Sequence, residues 1–334
     1  MTSLSKEELA VDARVKEKIS TLTPPQLELT ERGAKIIRAG GLVAFPTETV
    51  YGLGANALDP EAVKKIYETK GRPSDNPLIL HVSSIEQTEK LVCLNWRARF
   101  LMERFWPGPL SIVLPAREIV PSRTRGGLST AAVRMPDNPF ALALIANSGL
   151  PIAAPSANLS GRPSPTDAAT VRGEIGNKIP LIIDGGDTRF GVESTVIDMT
   201  GEHPVLLRAG GLAKEAVEEA LAMEVLLPQD QNIIKRSPGT RYRHYAPVIP
   251  LRLLSSEELP DASVSWAWLG TKAPKGSPRA RIIFRDNDEY AKELFRALRT
   301  LEKSGAEIIC AELPEEKGIG RALKDRLLRA AGGI

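Results

Sequence analysis

The sequence predicts an α/β protein in two parts, and three features of the chain lead to that expectation. Short apolar runs of strand length alternate with helical patterns as far as Leu221, which is typical of a sheet covered by helices. A polar, proline-bearing stretch then occupies 223–250, and the alternation resumes beyond it. A chain of 334 residues that is 42% hydrophobic and 25% charged is long enough for two globular domains.

The first part begins with a helix whose two ends are marked in the sequence. Thr23-Pro24-Pro25-Gln26 has the form of a capping box with proline at the first helical position, and Gly40-Gly41 ends the helix. Asp59-Pro60 caps a second helix, with a loop expected between the first strand and this cap. Strands are predicted at 42–45, 78–82, 110–114, 130–133, 152–154, 181–183, 194–197 and 205–207.

The second part repeats the alternation on a smaller scale. Apolar runs at 264–269, 281–284 and 307–310 alternate with helical patterns at 289–303 and 320–331. Strands separated by helices favour parallel pairing, because each helix returns the chain to the same edge of the sheet. The predicted boundaries are therefore 1–222 for the first domain, 223–250 for a linker and 251–334 for a small parallel-sheet domain.

Composition excludes several classes of protein. Cys93 and Cys310 lie far apart and the chain has three histidines, so neither a disulfide framework nor a structural zinc site is expected. Residues 3–18 are interrupted by charged side chains, unlike a signal peptide, and no run approaches the roughly 20 apolar residues of a membrane span. We therefore expect a cytoplasmic protein. A net charge of +3 neither requires nor excludes a nucleic-acid partner.

Residues 45–54 are predicted to be a strand that runs into a polar, glycine-bearing turn. Clefts in open α/β sheets lie beyond the carboxyl ends of the strands, so the hydroxyls of Thr47 and Thr49 would face a ligand there. The alternative is an ordinary turn whose hydroxyls satisfy backbone groups. A dinucleotide-binding fingerprint is excluded because its third glycine would fall at Ala57.

Two cations stand at the end of the second helix. Lys70 and Arg72 flank a glycine and precede Asn76, and fixed positive charge with a forked guanidinium suits the oxygens of a triphosphate. The alternative is a solvated basic helix end that interacts with the helix dipole. His81, in the next strand, is either a ligand-binding group or a strand histidine with a satisfied ring.

Further polar residues lie near strand ends later in this domain. Thr130 and Arg134 share one face of a strand, and Arg134 would bind a carboxylate through two hydrogen bonds. Ser156 and Asn158 follow a strand in a turn of small residues, against which a flat adenine or ribose would lie. Each group alone is more simply explained by a turn or a surface role. A shared site requires that they meet above one sheet together with Ala154, Ser164, Ser194 and Arg208.

Common catalytic templates are missing. GxxxxGK[ST] occurs nowhere in the chain, so an ATP-binding protein of this sequence must hold the phosphates with separate side chains. GxSxG, HExxH and the kinase signature are also absent.

Together these motifs resemble the threonylcarbamoyl-AMP synthase family in its long form. The matching segments, in the family's order, are 45–54, Lys70-x-Arg72 with Asn76-Pro77, Ser156-x-Asn158, and Ser237-Pro-Gly-x-x-Tyr242-x-His244-Tyr245-x-Pro247. The resemblance spans about residues 25–334. It implies a twisted open mixed sheet with flanking helices, called YrdC-like, a linker that folds over the active site, and a small Rossmann-like α/β C-terminal domain.

The resemblance also implies roles for individual residues. Lys70 and Arg72 would be catalytic, and Tyr245 of the linker would reach the nucleotide as part of a lid. The residues implied to bind threonine are Thr49, His81, Arg134, Ala154 and Ser194. The residues implied to bind ATP are Lys70, Arg72, Asn76, Thr130, Ser156, Asn158, Ser164, Arg208 and Tyr245.

The implied reaction converts L-threonine, bicarbonate or CO₂, and ATP into threonylcarbamoyl-adenylate and pyrophosphate, with Mg²⁺ held mainly by the ATP phosphates. The product would pass to a tRNA threonylcarbamoyl transferase for modification of tRNA beside the anticodon. One alternative is a non-catalytic module that binds tRNA or double-stranded RNA through a basic surface, and a steep salt dependence of binding would identify it. A carbamoyl-transfer role of the kind seen in hydrogenase maturation is a third alternative, and the small number of cysteines argues against it.

Overall fold

The computed structural model describes residues 6–228 and 244–332, and for residues 6–9 it describes the backbone alone. Its larger sheet is mixed and follows the order β7-β1-β2-β6-β3-β5-β4-β8-β9. This arrangement confirms the predicted mixed sheet with flanking helices. The strands of this sheet are β1 Val43–Phe45, β2 Gly52–Asn56, β3 Ile79–His81, β4 Leu110–Pro115, β5 Thr130–Arg134, β6 Ile152–Ala153, β7 Leu181–Ile182, β8 Thr195–Asp198 and β9 Val205–Arg208.

The C-terminal domain has a second sheet, in which every strand pair is parallel, with the order β10-β13-β11-β12. The sequence predicted the parallel pairing but not β10, whose three residues are too short for a clear apolar run. The strands are β10 Leu251–Leu253, β11 Trp266–Gly270, β12 Ala280–Ile283 and β13 Ile308–Ala311.

Helices cover the faces of the sheets. Their starts follow the predicted caps: Asp59 accepts a hydrogen bond from the backbone of Glu61, and Gln26 completes the capping box with Thr23. None of the described helices is long and apolar enough to span a membrane. The helices are α1 Lys6–Ser20, α2 Pro24–Arg38, α3 Pro60–Lys70, α4 Ile85–Glu89, α5 Trp96–Phe105, α6 Pro139–Ser148, α7 Ala168–Ile175, α8 Lys214–Leu221, α9 Asn287–Leu301 and α10 Ile319–Ala330.

The prediction of a loop between β1 and α3 is wrong for the second half of that segment. Residues 52–56 form β2, which pairs antiparallel with β1 and with β6. The glycines that suggested a turn serve close packing instead: a Cβ on Gly54 would lie 2.7 Å from both Phe45 and Ile152. Glycine is needed there because neighbouring side chains occupy the space of a methyl group.

The C-terminal domain packs against the first domain through charged side chains, apolar contacts of Val50 and Val192, and a close backbone contact. Arg162 pairs with Glu302 at 2.6 Å and Arg299 with Glu174 at 2.5 Å. Gly191 has a φ of +72°, and a Cβ at this position would lie 2.1 Å from the carbonyl oxygen of Lys292 in α9. Close approach of the two domains therefore depends on the missing side chain of this glycine.

This contact gives the first testable prediction. Gly191→Ala is expected to destabilise the protein by roughly 1–3 kcal/mol more than Gly186→Ala, because overpacking adds to the strain of positive φ. Gly186 is a matched control, since its φ is +78° and a Cβ there meets nothing within 4 Å. Urea unfolding of both variants measures the difference, and equal destabilisation would contradict this account of the interface.

Candidate active site

A row of side chains crosses five adjacent strands of the larger sheet. Strand register pairs His81 with Arg134, Arg134 with Ser111, Ser111 with Val196 and Val196 with Arg208. Each step spans one strand spacing of about 4.8 Å, so the row is roughly 19 Å long. A cleft opens along it, lined by Thr47, Val50, Tyr51, Gly52, Arg72, Ile79, His81, Arg134, Ala154, Pro155, Ser156, Glu193, Arg208, His244 and Tyr245.

Arg134 is the second residue of this row and lies in a buried polar cluster. Its Nη2 donates to Oγ1 of Thr49 at 2.9 Å and lies 2.8 Å from Oε2 of Glu48. The Oγ1 atoms of Thr47 and Thr49 are 2.8 Å apart, so the turn after β1 is tied to the strand that carries the arginine. This guanidinium in a shielded site suits recognition of a carboxylate.

His81 and Ala154 form the neighbouring wall. Burial, reinforced by the charge of Arg134, lowers the pKa of His81 to about 3, so its imidazole is neutral at physiological pH. The ring meets Phe45 edge-on, with the ring centroids 6.0 Å apart. Ala154 donates its backbone N–H to the carbonyl of Ile79 at 3.0 Å, which extends the sheet beyond β6. This wall is small and uncharged, as a short amino-acid side chain would require.

Lys70 lies behind the lining of the cleft. Its Nζ donates to the backbone carbonyl of Ser156 at 2.5 Å and to that of Asn158. Burial and the neighbouring Arg72 lower the pKa of Lys70 well below its ordinary value. Through its two hydrogen bonds, the Lys70 side chain holds the turn that presents Ser156 to the cleft. Asn158 strengthens the same turn by donating to the carbonyl of Arg162 at 2.8 Å.

Arg72 reaches the cleft because α3 ends at Gly71, whose φ of +62° reverses the chain in a left-handed cap. Its Nη2 donates to the carbonyl of Pro77 at 3.2 Å, and burial lowers its pKa to about 10, so it stays cationic at neutral pH. Asn76 is buried in the same loop, with its carbonyl accepting from Tyr67 at 3.1 Å.

The far end of the row is organised around Ser194. Arg208 donates from Nε to the Ser194 carbonyl at 3.1 Å and from Nη2 to its Oγ at 3.0 Å, and Ser111 lies 2.8 Å from the same Oγ. An irregularity in register between β8 and β9 allows Arg208 to line the cleft although Leu207 packs in the adjacent apolar cluster. Glu193 completes this end, with Oε1 accepting from Ser164 at 2.6 Å.

Tyr245 closes the cleft from the side of the C-terminal domain. Its ring stacks on Phe295 of α9 at a centroid distance of 5.2 Å, and its φ is +66°. Burial, with the charge of Glu193, raises the pKa of Tyr245 to about 12. Positive φ at a tyrosine is strained, so surrounding contacts must hold this residue in place. The rest of the motif's predicted contacts, from Ser237 to Tyr242, lie outside the described residues.

The predicted residues thus converge on one region, although in different ways. Arg72, His81, Arg134, Ala154, Ser156, Arg208 and Tyr245 line the cleft itself. Thr49, Lys70, Asn158, Ser164 and Ser194 lie one contact behind it, bonded to lining residues or to the turns that carry them. Asn76 is not part of the lining. Thr130 is not either; it precedes Ala132, which pairs with Ile79 at the floor of the cleft.

Sequence reasoning left several groups without a role. Glu48 stands between the two predicted threonines, and Glu193 precedes the predicted Ser194. Their positions beside predicted residues were a usable signal. Ser111 carried no such signal, because its place beside Arg134 follows from strand register alone.

The described residues contain no group of three or more histidine, cysteine or acidic side chains close enough to hold a metal ion. Of the two carboxylates at the cleft, Glu193 bonds Ser164 and Arg326, and Glu48 pairs with Arg134.

Comparison with known proteins connects this geometry to a family. The Sua5, YciO and YrdC family model, described as telomere recombination, matches residues 35–210. A second model, the C-terminal domain of threonylcarbamoyl-AMP synthase, matches residues 212–332. The chain belongs to the threonylcarbamoyl-AMP synthase family.

Individual relatives agree with this membership. The threonylcarbamoyl-AMP synthase of Pyrococcus abyssi is 48% identical over 315 residues, which cover 90% of this chain and 93% of that protein. The Bacillus subtilis threonylcarbamoyl-AMP synthase is 44% identical over 338 residues, or 96% of both chains. The crystal structure of Pyrococcus abyssi Sua5 complexed with L-threonine has a TM-score of 0.85 at 46% identity and covers 91% of this chain and 94% of its own.

Membership in the threonylcarbamoyl-AMP synthase family confirms the resemblance drawn from the motifs and the expectation of a nucleotidyltransferase-type enzyme. It does not favour the alternative of a non-catalytic RNA-binding module.

The buried histidines predict how stability depends on pH. Burial and neighbouring arginines lower the pKa of both His81 and His244 to about 3. Below about pH 6.5 the unfolded chain takes up protons that the folded protein does not, so stability falls as the pH decreases. Each histidine should cost about 2 kcal/mol between pH 6.5 and pH 5.

Urea unfolding at pH 7 and pH 5 tests this expectation. His81→Gln should lose less stability between the two pH values than the unsubstituted protein loses. His203→Gln is the control, because His203 is exposed and lies away from the cleft. The same loss in His81→Gln as in the unsubstituted protein would contradict the proposed origin of the pH dependence.

Proposed function

We propose that this protein joins L-threonine, bicarbonate or CO₂, and ATP to form threonylcarbamoyl-adenylate and pyrophosphate, for the threonylcarbamoylation of adenosine in tRNA beside the anticodon. The observation that carries the proposal is one cleft that brings Arg134, Arg72 and Arg208 together from three separate parts of the chain. Family membership supports it, and the related Pyrococcus abyssi protein was crystallised with L-threonine.

Threonine is proposed to bind beside the central row of the sheet. Arg134 would bind the carboxylate of threonine. The guanidinium of Arg134 already lies 2.8 Å from Glu48, so the substrate would either displace Glu48 or bind alongside it. The hydroxyl of Thr49 and the neutral ring of His81 would supply polar contacts for an amino acid. Ala154 and Ser194, which the family resemblance also implies, are proposed as further contacts of threonine.

ATP is proposed to bind beside Arg208, which ends this row, and Arg72, which follows α3. Arg72 and Arg208 are buried at the cleft, and Arg72 keeps its charge at neutral pH because its pKa is lowered only to about 10. Buried cations suit phosphate oxygens, since low local polarity strengthens the attraction. Lys70 would act through the Ser156 turn that it holds. Magnesium on the phosphates would neutralise further charge.

The proposed chemistry needs orientation and charge stabilisation rather than a protein nucleophile. The threonine amine attacks the carbon of CO₂ and loses a proton, which gives a carbamate. A carbamate oxygen then attacks the α-phosphorus, and the bond to the bridging oxygen breaks to release pyrophosphate. Arg72 and Arg208 would stabilise the anionic phosphorus centre. Residues 223–250 are proposed to act as a linker over the cleft, with Tyr245 as its nucleotide contact, and closure would exclude water.

The substrate requirement can be tested directly. Purified protein should release pyrophosphate from ATP when threonine and bicarbonate are both present, and release should fall to background when either is omitted. Mass spectrometry should detect threonylcarbamoyl-adenylate in the complete mixture. Pyrophosphate release without threonine would exclude the proposed reaction.

Substitutions of the proposed threonine ligand and of the proposed ATP ligand should have different kinetic effects. Arg134→Lys should raise the KM for threonine by roughly tenfold or more, because a single ammonium cannot form the two parallel bonds of a guanidinium with a carboxylate. Arg72→Lys should instead act mainly on ATP.

Steady-state kinetics with each substrate varied in turn measures this split, and Arg189→Lys is the control because its side chain is 60% exposed. If Arg134→Lys changed only the KM for ATP, the assignment of Arg134 to threonine and of Arg72 to ATP would be wrong.

A further inference from the structure

Arg326 is a buried cation of the C-terminal domain that reaches the back of the cleft. It lies in α10 and is fully buried. Its Nε donates to Oε2 of Glu193 at 2.7 Å, its Nη2 to the carbonyl of Ala209 at 2.9 Å and its Nη1 to Asp325 at 2.5 Å. The guanidinium also lies 5.3 Å from the ring centroid of Tyr245. One side chain of the second domain therefore contacts three residues at or beside the cleft.

Glu193 connects this arginine to the far end of the cleft. Its other oxygen, Oε1, accepts from Ser164, and its backbone carbonyl accepts from Gly211 at 3.0 Å. The backbone here is tightly packed, since a Cβ on Gly210 would lie 2.2 Å from the carbonyl carbon of Ser194. A shift of Glu193 would therefore move Ser194 and the arginine that bonds it, Arg208.

Charge balance shows why Glu193 needs this partner. Burial alone would raise the pKa of Glu193, but Arg326 and Arg208 outweigh it and lower the pKa to about 2, so the carboxylate is ionised at neutral pH. An ionised group that lost its partner inside the protein would turn to another cation. The other cation that acts on Glu193 in this way is Arg208, which we assign to the nucleotide.

We propose that Arg326 is a positioning residue of the active site, supplied by the C-terminal domain, which fixes Glu193 and thereby keeps Ser164 and Arg208 arranged for the nucleotide. The inference rests on the proposed function for the identity of that ligand. It assigns to the second domain a direct part in shaping the site.

The geometry requires arginine rather than any cation. Three nitrogens of Arg326 serve three acceptors in different directions, and a lysine offers one nitrogen at the end of a flexible chain. A buried ion pair contributes little to stability compared with apolar side chains of the same size. Its rigid geometry is therefore the property that the site uses.

Kinetics of Arg326→Met and Arg326→Lys tests the proposal. Both variants should lose kcat/KM for ATP by about tenfold or more, which corresponds to about 1.4 kcal/mol. The KM for threonine should change less, because Arg134, the proposed ligand of its carboxylate, is held by Thr49 and Glu48 rather than by Glu193. Arg321→Met is the matched control: Arg321 lies on the same helix and pairs across the domains with Glu215 at 3.3 Å, away from the cleft.

A purely structural role would give a different pattern. Arg326→Met and Arg321→Met would then lower activity only in proportion to their loss of thermal stability, and the loss would not single out ATP. That result, or an unchanged kcat/KM for ATP in Arg326→Met, overturns the proposal.

A double substitution tests whether Arg326 acts through Glu193 and guards against a variant that does not fold. Glu193→Gln with Arg326→Met removes both buried charges, so the pair should fold even if Arg326→Met alone does not. The double variant should be no less active than Glu193→Gln alone, because substitutions in one chain of contacts are not additive. Fully additive losses would show that Arg326 acts by another route.

Hydrogen exchange separates this inference from the proposed function. Amides at 193–195 and 208–211 should exchange faster in Arg326→Met than in Arg321→Met, whatever the enzyme turns over. Unchanged exchange there would refute the positioning role. Absence of threonine-dependent pyrophosphate release by the unsubstituted protein would instead refute the proposed function. The exchange rates would still decide whether Arg326 holds these segments in place.

Discussion

The register of five strands is the constraint on which the site depends. His81, Arg134, Ser111, Val196 and Arg208 share a row only because β3, β5, β4, β8 and β9 pair in one register. A slip of one residue in any strand would turn its side chain to the opposite face of the sheet. The apolar cluster of Ile79, Val113, Ala132, Val196 and Leu207 opposes such a slip, because those side chains would lose their packing against one another. Core packing therefore also positions the side chains of the candidate site.

Burial of several cations in one cleft has a cost that the fold must offset. Desolvation lowers the pKa of Lys70, Arg72 and Arg208, which shows how unfavourable their surroundings are for positive charge. Backbone carbonyls accept from all three, and carboxylates pair with other cations of the region. An anionic ligand would complete this compensation. Buried positive charge that is unfavourable in the ligand-free protein would therefore favour the binding of phosphate and carboxylate groups.

The sequence predicted most elements because their apolar periodicity and caps are local signals, as at Thr23 and Asp59. It missed β2 because glycine is a turn signal on its own, and only the packing of Phe45 and Ile152 shows why Gly54 belongs in a strand. Arg134 and Arg72 were predicted from motif and family resemblance. The bond between Glu193 and Arg326 was not, because no local pattern links residues 133 positions apart in the chain.

The contacts between the domains argue that the cleft belongs to both. Val50, one residue after Thr49, packs into the apolar core of the C-terminal domain together with Tyr245 and Phe295. Tyr245 keeps its positive φ because stacking on Phe295 and the nearby Arg326 guanidinium hold its ring. The turn that carries Thr49, the ring of Tyr245 and the carboxylate of Glu193 are thus all held by contacts with the C-terminal domain. A relative movement of the two domains would therefore disturb the surroundings of Arg134 and of Arg208 at the same time.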